Sequence, residues 1–337
     1  MIEPFASPVD LAAMVLLGGL VLYAVFGGAD FGSGVWMALA TGPRARAQQE
    51  HLFHAIGPVW ETNHVWLIFV IVTLFTAFPA GFSALFIALL VPLVITLIGI
   101  NFRGAAFAFR HFGRHAPVQL PATAQVFSIS SILTPLAMGM AVTASAAGRI
   151  RVVGQTVEAG LWSSWITPFT VIGGLVGTAI CAFLAPVYMT VRVRGELRED
   201  FRRYGMLGGI ALGVLTAVEI PVALLDAPQF AARLLQPRCL VLVGLASSLG
   251  VATLGLLWIR RFVAAQIAAA GTVAATLAGF GAAMYPDLIL GQLSLAEAAA
   301  PAATLRAYLA VLPIGALILV PSLWLLYRIF TRSVDIE

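Results

Sequence analysis

Nine long apolar runs, parted by short polar breaks, decide most of what this chain can become. They occupy 10–40, 53–78, 80–110, 121–147, 164–191, 203–226, 238–259, 262–284 and 305–330. A helix needs roughly 20 mostly apolar residues to cross the hydrocarbon layer of a bilayer, and each run meets that length. In lipid the backbone must satisfy its own hydrogen bonds, so runs of this kind cross as helices. Composition points the same way. The chain is 61% hydrophobic and 10% charged, where a soluble domain is about 45–50% apolar and about 25% charged. The expected fold is therefore all-α: a polytopic membrane protein of about nine transmembrane helices packed as helical bundles. Residues 1–337 read as a single membrane domain, with a candidate division into halves 1–150 and 151–337.

The breaks between runs carry prolines and glycines, among them Thr41-Gly42-Pro43, Pro79 with Gly81, and Pro286. The abrupt break at Pro79 predicts two antiparallel helices joined by a very short turn, and Arg260-Arg261 predicts a second joint of that type. Several helices carry small residues four apart: Gly28/Gly32, Gly173/Gly177, Gly205/Gly209/Gly213 and Gly271/Ala275/Gly279. Such stripes let helix backbones approach closely in lipid.

All 19 basic residues are arginine. The net charge of +4 does not point to nucleic acid, because the arginines sit singly or in small groups between apolar runs. With nine spans, 14 arginines fall on one side of the bilayer and 5 on the other. The richer side belongs to the cytoplasm. This places the N-terminus outside and the C-terminus inside, in a bacterial cytoplasmic (inner) membrane. The densest group, Arg192 to Arg203, reads either as a topology anchor or as a contact for anionic lipid headgroups. The start, MIEPFASPVDL, lacks a basic segment, and the first run is too long for a cleaved leader, so the first helix is expected to stay. Cys181 and Cys239 lie within apolar runs and form no metal or disulfide spacing.

Ionisable groups inside a bilayer cost about 2.5–3.5 kcal/mol on insertion scales, so they mark function by default. Asp30, Glu61 and Glu219 stand out. Asp30 lies late in the first run, in GGADFGSG, and Glu61 early in the second, in GPVWETNHVW. On antiparallel neighbours they reach similar depth and can share one site. His54, Gly57, Glu61, His64 and Ile68 recur at helical spacing, so one continuous helix would set two imidazoles and a carboxylate along one face. Asn63 lies off that stripe and adds hydrogen-bonding capacity. Such a row could pass protons inward. The alternative is that Asp30, Glu61 and His64 only satisfy one another or bond to a neighbouring subunit. Glu219, before Ile220-Pro221, either acts or fills the gap beside the proline. Trp60 and Trp66 flank Glu61. Arg103 and Arg110, seven apart, either balance the acids or anchor headgroups.

His51, His54, Glu61 and His64 could also supply metal ligands, and Glu61 to His64 has Glu-x-x-His spacing. Bundle metal sites need further carboxylates, and the chain is acid-poor, so no metal is expected. Haem needs an axial His, Cys, Met or Tyr. Only His64 is a histidine well inside a run, and Met138, Met140, Met189 and Met284 read as packing residues. The chain alone is poorly equipped for several haems.

Three motifs, GADFGSGVW around 29–36, IGPVWETNHVWLI over 56–68 and FRGAAFAFR over 102–110, resemble subunit II of cytochrome bd ubiquinol oxidases. The resemblance extends over essentially the whole chain, including Met284-Tyr285-Pro286 through PSLWLLYRIF at 321–330. It departs where the family often reads Asp-Gly-Phe-Asp and this chain reads Gly27-Gly28-Ala29-Asp30. It departs again at Ala108, usually Asp, and at His64, often Glu or Gln. These changes mark a divergent branch. The resemblance implies a haem-poor partner of a homologous haem-bearing subunit I. The pair would oxidise a quinol and reduce oxygen to water, as an enzyme only in the complex, with haem b and haem d in the partner. A bound quinone, a small accessory subunit and membrane lipid fit this picture. It places the family's proton-pathway acid at Glu61 and its first-helix acid at Asp30. Trp60, Asn63, Trp66, Arg103 and Arg110 match motif positions.

Two rivals come from other classes. A proton-coupled secondary transporter would also use intramembrane acids and broken helices, but paired in both halves, whereas here they cluster in the first. A purely structural partner subunit would use the acids only for packing.

Overall fold

A computed structural model describes residues 7–56, 60–112, 122–154 and 156–331, without the side chains of 55, 56, 60–62, 110–112, 327 and 329–331. Among these residues the chain forms thirteen helices and two small antiparallel hairpins. The first half holds α1 (Pro8–Leu39), α2 (Ala45–Ile56), α3 (Trp60–Ala77), α4 (Pro79–Ala88), α5 (Leu90–Phe112) and α6 (Ala122–Ala144), and the hairpin β1 (Arg151–Val153)/β2 (Thr156–Glu158) follows at the start of the second. The second holds α7 (Pro168–Arg192), α8 (Gly195–Asp226), α9 (Pro228–Leu234), α10 (Pro237–Trp258), α11 (Phe262–Met284), the hairpin β3 (Asp287–Ile289)/β4 (Leu293–Ser294), α12 (Leu295–Ala298) and α13 (Ala302–Thr331).

Eight of these helices are long and apolar enough to cross a membrane, and a ninth span is reached only if α3 and α4 count together. That pair differs from the expected antiparallel turn. α4 is bent by 119° from α3, is only 10 residues long, and is followed by α5, which supplies the return span. The run 80–110 is thus divided. Phe78 leaves helical geometry at φ −134°, ψ 60°, Pro79 restarts the helix at its first turn, and Leu89 ends it at ψ 23°. Pro92 helps explain the second break, since it cannot donate to the carbonyl four residues back.

The run 53–78 is divided as well. His54 belongs to α2 and His64 to α3, with 57–59 between them outside the described residues. The single face from His54 to Ile68 is therefore not shown. His54 is exposed, and Ile68 is 60% exposed. α8 starts eight residues ahead of the run at 203–226 and includes Arg198 to Arg203.

α7 packs on α1, α6 and α8, so it joins helices from both halves, while α10 pairs with α11 and α5 with α6. Missing side chains make the close crossings possible. A Cβ at Gly32 would lie 1.9 Å from the Cys181 carbonyl oxygen, and one at Gly139 2.7 Å from that of Gly173. Gly208 would meet Ala182 O at 2.8 Å and Gly177 would meet Pro135 O at 2.9 Å. Gly213, in contrast, faces open space. Trp36 Nε1 donates to Ala182 O at 2.7 Å, which fixes α1 against α7 beyond Gly32.

Both ends are laced by ion pairs. At one rim Arg44 grips Asp200 with two bonds of 2.7 Å and reaches Glu196 at 2.8 Å. Gln48 donates to Asp200 at 2.9 Å, and the Tyr204 hydroxyl, under the Trp36 ring, donates to Gln48. These acceptors hold the Arg44 guanidinium charge even above its already high pKa, Asp200 foremost. At the other rim Arg149 pairs with Asp226 and Arg233 with Asp287.

Candidate functional site

Arg103 is the largest of the fully buried side chains, at 2% exposure. A guanidinium cannot shed its proton in a protein and so must be satisfied where it lies. Nη2 donates to the backbone carbonyl of Asp30 at 2.8 Å, and Nε donates to Ser131 Oγ at 3.1 Å. Ser131 passes the bond on to Phe127 O at 2.7 Å. The guanidinium carbon lies 4.8 Å from the centre of the Phe31 ring and 4.9 Å from that of Phe127. Two aromatic faces give a desolvated cation roughly 2 kcal/mol or more each. Sequence spacing left Arg103 between balancing an acid and anchoring headgroups, and its guanidinium lies buried against Asp30.

Asp30 is itself buried, at 9% exposure, and its Oδ2 accepts a bond from Asn63 Nδ2. α1, α3, α5 and α6 thus meet at one polar cluster built of Asp30, Asn63, Arg103 and Ser131. Local sequence makes this possible. Gly34 lets Ser131 approach α1, for a Cβ there would stand 2.1 Å from Ser131 Oγ. His64 comes next to the cluster. Its half-buried ring lies 6.1 Å from Phe31, edge-on, and 6.3 Å from Tyr23. Trp66 packs, partly buried, around Tyr23, Phe31 and Cys181 and meets Phe69 edge-on.

The backbones of Trp60 and Glu61 lie in the first turn of α3, and that of Arg110 lies in the last turn of α5. The side chains of all three lie outside the described residues. The described part of the cluster therefore joins Asp30, Asn63 and Arg103, with His64 and Trp66 beside it. Ser131, Phe31 and Phe127 were missed in the sequence, where a serine and two phenylalanines inside apolar runs look like any others. A lone arginine seated in an apolar run was the one available signal that such partners must exist.

On the far side of Tyr23, Phe31 and Cys181 opens a cavity of about 670 Å³ between α1, α6, α7, α8, α10 and α11. Its lining is mainly apolar, with hydroxyls from Thr134, Thr216 and Thr276. Glu219 of α8 also lines it, half-buried. The Tyr23 hydroxyl is buried and has no hydrogen-bond partner among the described residues. Met138 and Cys181 border the cavity. No group of three or more His, Cys, Asp or Glu placed to hold a metal occurs among the described residues. His51 and His54 stand on α2, and the His51 ring turns back to Ala47 O at 2.9 Å.

Known proteins are similar to this chain in sequence and in fold. Cytochrome bd ubiquinol oxidase subunit 2 of Bacillus subtilis is 27% identical over 202 residues, covering 60% of this chain and 58% of that one. Cytochrome bd-I ubiquinol oxidase subunit 2 of Escherichia coli K12 is 25% identical over 208 residues, covering 60% and 54%. The aligned part of this chain spans little more than half the length of these relatives. A chain of the solved bd oxidase from Geobacillus thermodenitrificans superposes with a TM-score of 0.76 at 22% identity, over 97% of this chain and 100% of that one. At that identity the likeness speaks for the fold. The family model described as cytochrome bd terminal oxidase subunit II matches residues 9–330, and with nearly the whole chain covered, this protein belongs to that family.

Proposed function

We propose that this chain is the haem-poor second subunit of a quinol:oxygen oxidoreductase in the bacterial cytoplasmic membrane, and that it helps carry protons from the arginine-rich side. Its partner would be a homologous subunit I holding haem b and haem d, which supply the electron path and the iron at which oxygen is reduced. In this reading the arginine-rich rim is cytoplasmic, the N-terminus lies outside, and both halves form one membrane domain. The observation that carries it is the buried Asp30–Asn63–Arg103 cluster in a chain of this family.

Reducing oxygen to water takes up protons as well as electrons, so the complex needs a protonatable route into the bilayer. Asp30 offers a carboxylate held by Asn63, with the His64 imidazole within two ring contacts. Arg103 supplies a fixed positive charge that lowers the cost of a carboxylate there. Glu61, two residues before Asn63 on α3, is the entry acid of the proposed route. The cavity beside the cluster has the apolar lining for the prenyl chain of a bound quinone or for a lipid chain. A small accessory subunit is compatible with this assembly.

The test uses the complex purified from its native membrane, carrying Glu61→Gln or Asp30→Asn. Oxygen consumption driven by quinol is expected to fall by roughly tenfold or more, while reduced-minus-oxidised spectra still show haem b and haem d. Unchanged turnover in a normally assembled complex would remove the proton role and leave a structural partner. A haem-free chain purifying alone would favour the transporter reading.

A further inference from the structure

At the arginine-rich rim, the turn between α10 and α11 meets the first turns of α8 and encloses a recess of about 380 Å³ lined by Arg202, Trp258, Ile259 and Arg260. One carboxylate organises its charge. Glu199 accepts from Arg202 Nε through Oε2 at 2.7 Å and from Arg260 Nε through Oε1 at 3.1 Å. Two guanidinium groups are thereby tethered by one negative charge, which leaves the site net positive. Exposed Arg203 and Arg261 stand next to them in the chain and add to that excess.

Both tethers use Nε, so the terminal nitrogens stay available. Arg202 Nη1 has only a long contact to Met206 Sδ at 3.6 Å. The Arg260 terminal nitrogens have no hydrogen-bond partner among the described residues. Arg260 also holds a backbone φ of 60°, the left-handed region that a residue with a Cβ adopts under strain. Glycine would relieve that turn but would remove the second cation. That conformation closes α10, with Arg261 N donating to Leu256 O at 2.8 Å, and it sets the Arg260 side chain beside Glu199.

What lies below the cations points to the kind of anion they would take. Trp258 is 73% exposed, Ile259 62% and Val263 61%. These side chains sit at the ends of two apolar, membrane-crossing helices, where an indole ring favours the headgroup level. A phosphate in the recess would therefore have an apolar wall continuing directly beneath it. Arginine forks match phosphate oxygens, and basic pockets between helix ends hold anionic lipid headgroups. We propose that this recess is a specific site for the phosphate of an anionic phospholipid, bound by Arg202 and Arg260, with its acyl chains running along Trp258 and Val263.

The test is native mass spectrometry of the intact complex, released from nanodiscs of phosphatidylcholine doped with phosphatidylglycerol. One tightly retained phosphatidylglycerol is expected on the wild type, and at least tenfold weaker retention on an Arg202→Gln/Arg260→Gln double variant. Trp258→Ala keeps both cations and is expected to lose lipid retention as well, which checks the site independently of the arginines. Unchanged turnover and elution of both variants would show that the fold is intact. Equal retention by wild type and double variant would overturn the proposal. So would displacement of the lipid from the wild type by millimolar inorganic phosphate with Trp258→Ala binding as wild type, because the site would then be one for free phosphate.

Discussion

The two polar features inside the bilayer region are built on opposite terms. Around Arg103, in the first half, polar groups bond across helices: Arg103 to the Asp30 carbonyl and Ser131, Asn63 to Asp30, with two aromatic faces over the cation. Around Glu219, in the second half, a carboxylate borders an apolar cavity. Tyr23, Phe31 and Cys181 line that cavity on the side of the Arg103 cluster, where Phe31 packs on the guanidinium. The contrast teaches that charge is kept in this fold in two ways. One is a cross-helix network whose parts depend on one another. The other is a lone group beside space that a mobile molecule can fill.

The comparison breaks most decisively at Arg103. Arg103→Ala strips a buried cation from its partners and is expected to cost about 3–5 kcal/mol, read as lost yield of folded complex or a lowered melting temperature. Arg103→Lys should recover part of that loss, because it restores the charge without the fork. Gly32→Ala comes next. Its methyl would collide with the Cys181 carbonyl, and prying α1 from α7 is expected to cost about 1–3 kcal/mol, measured by thermal unfolding of the complex. In the other region the sign reverses. Glu219→Gln removes an acid that has no ion-pair partner among the described residues. A gain on the order of 1 kcal/mol is expected, a fraction of what an acid costs in lipid, with oxygen turnover unchanged. A large turnover loss would move Glu219 into the proton route and erase the distinction.

The smallest effect lies outside both regions and serves as a reference for exposed acids. Glu297 closes a capping box with Ser294, whose backbone and hydroxyl bonds hold its carboxyl below the usual 4.5. A lowered folded value stabilises above the unfolded one and is lost as pH falls through the folded one. The difference in melting temperature between wild type and Glu297→Gln should therefore be small at neutral pH and vanish as pH falls through the lowered folded value.

Much of the architecture was legible because a bilayer leaves few choices. Seven of the apolar runs became single helices near their expected places, and Asp30 bonds to Asn63 of α3, while the side chain of Glu61, its expected companion, lies outside the described residues. The glycine stripes were a mixed guide. Gly32 and Gly177 sit at close crossings, whereas Gly213 borders the cavity. A stripe fixes a helix face but not which neighbour covers it. The two divided runs were hidden for another reason: apolar residues keep their hydropathy through a bend, so α3, α4 and α5 read as two spans. The Arg44–Asp200 clamp and the shelter of Arg103 rest on contacts 156 and 28 residues apart in sequence, which no local pattern records.

The order of the cluster along the chain bears on how the protein can be made. Asp30, Asn63, Arg103 and Ser131 all precede residue 132, so the ribosome finishes the shelter for the buried arginine before α7 emerges. A cation handed into lipid can be quenched once residue 131 of 337 is in place, before Asp200 is made. Arg44, by contrast, waits for Asp200, a residue made long afterwards. Biogenesis can thus proceed from a self-sufficient early half to a late latch, without a chaperone having to hold an unpaired charge in the membrane.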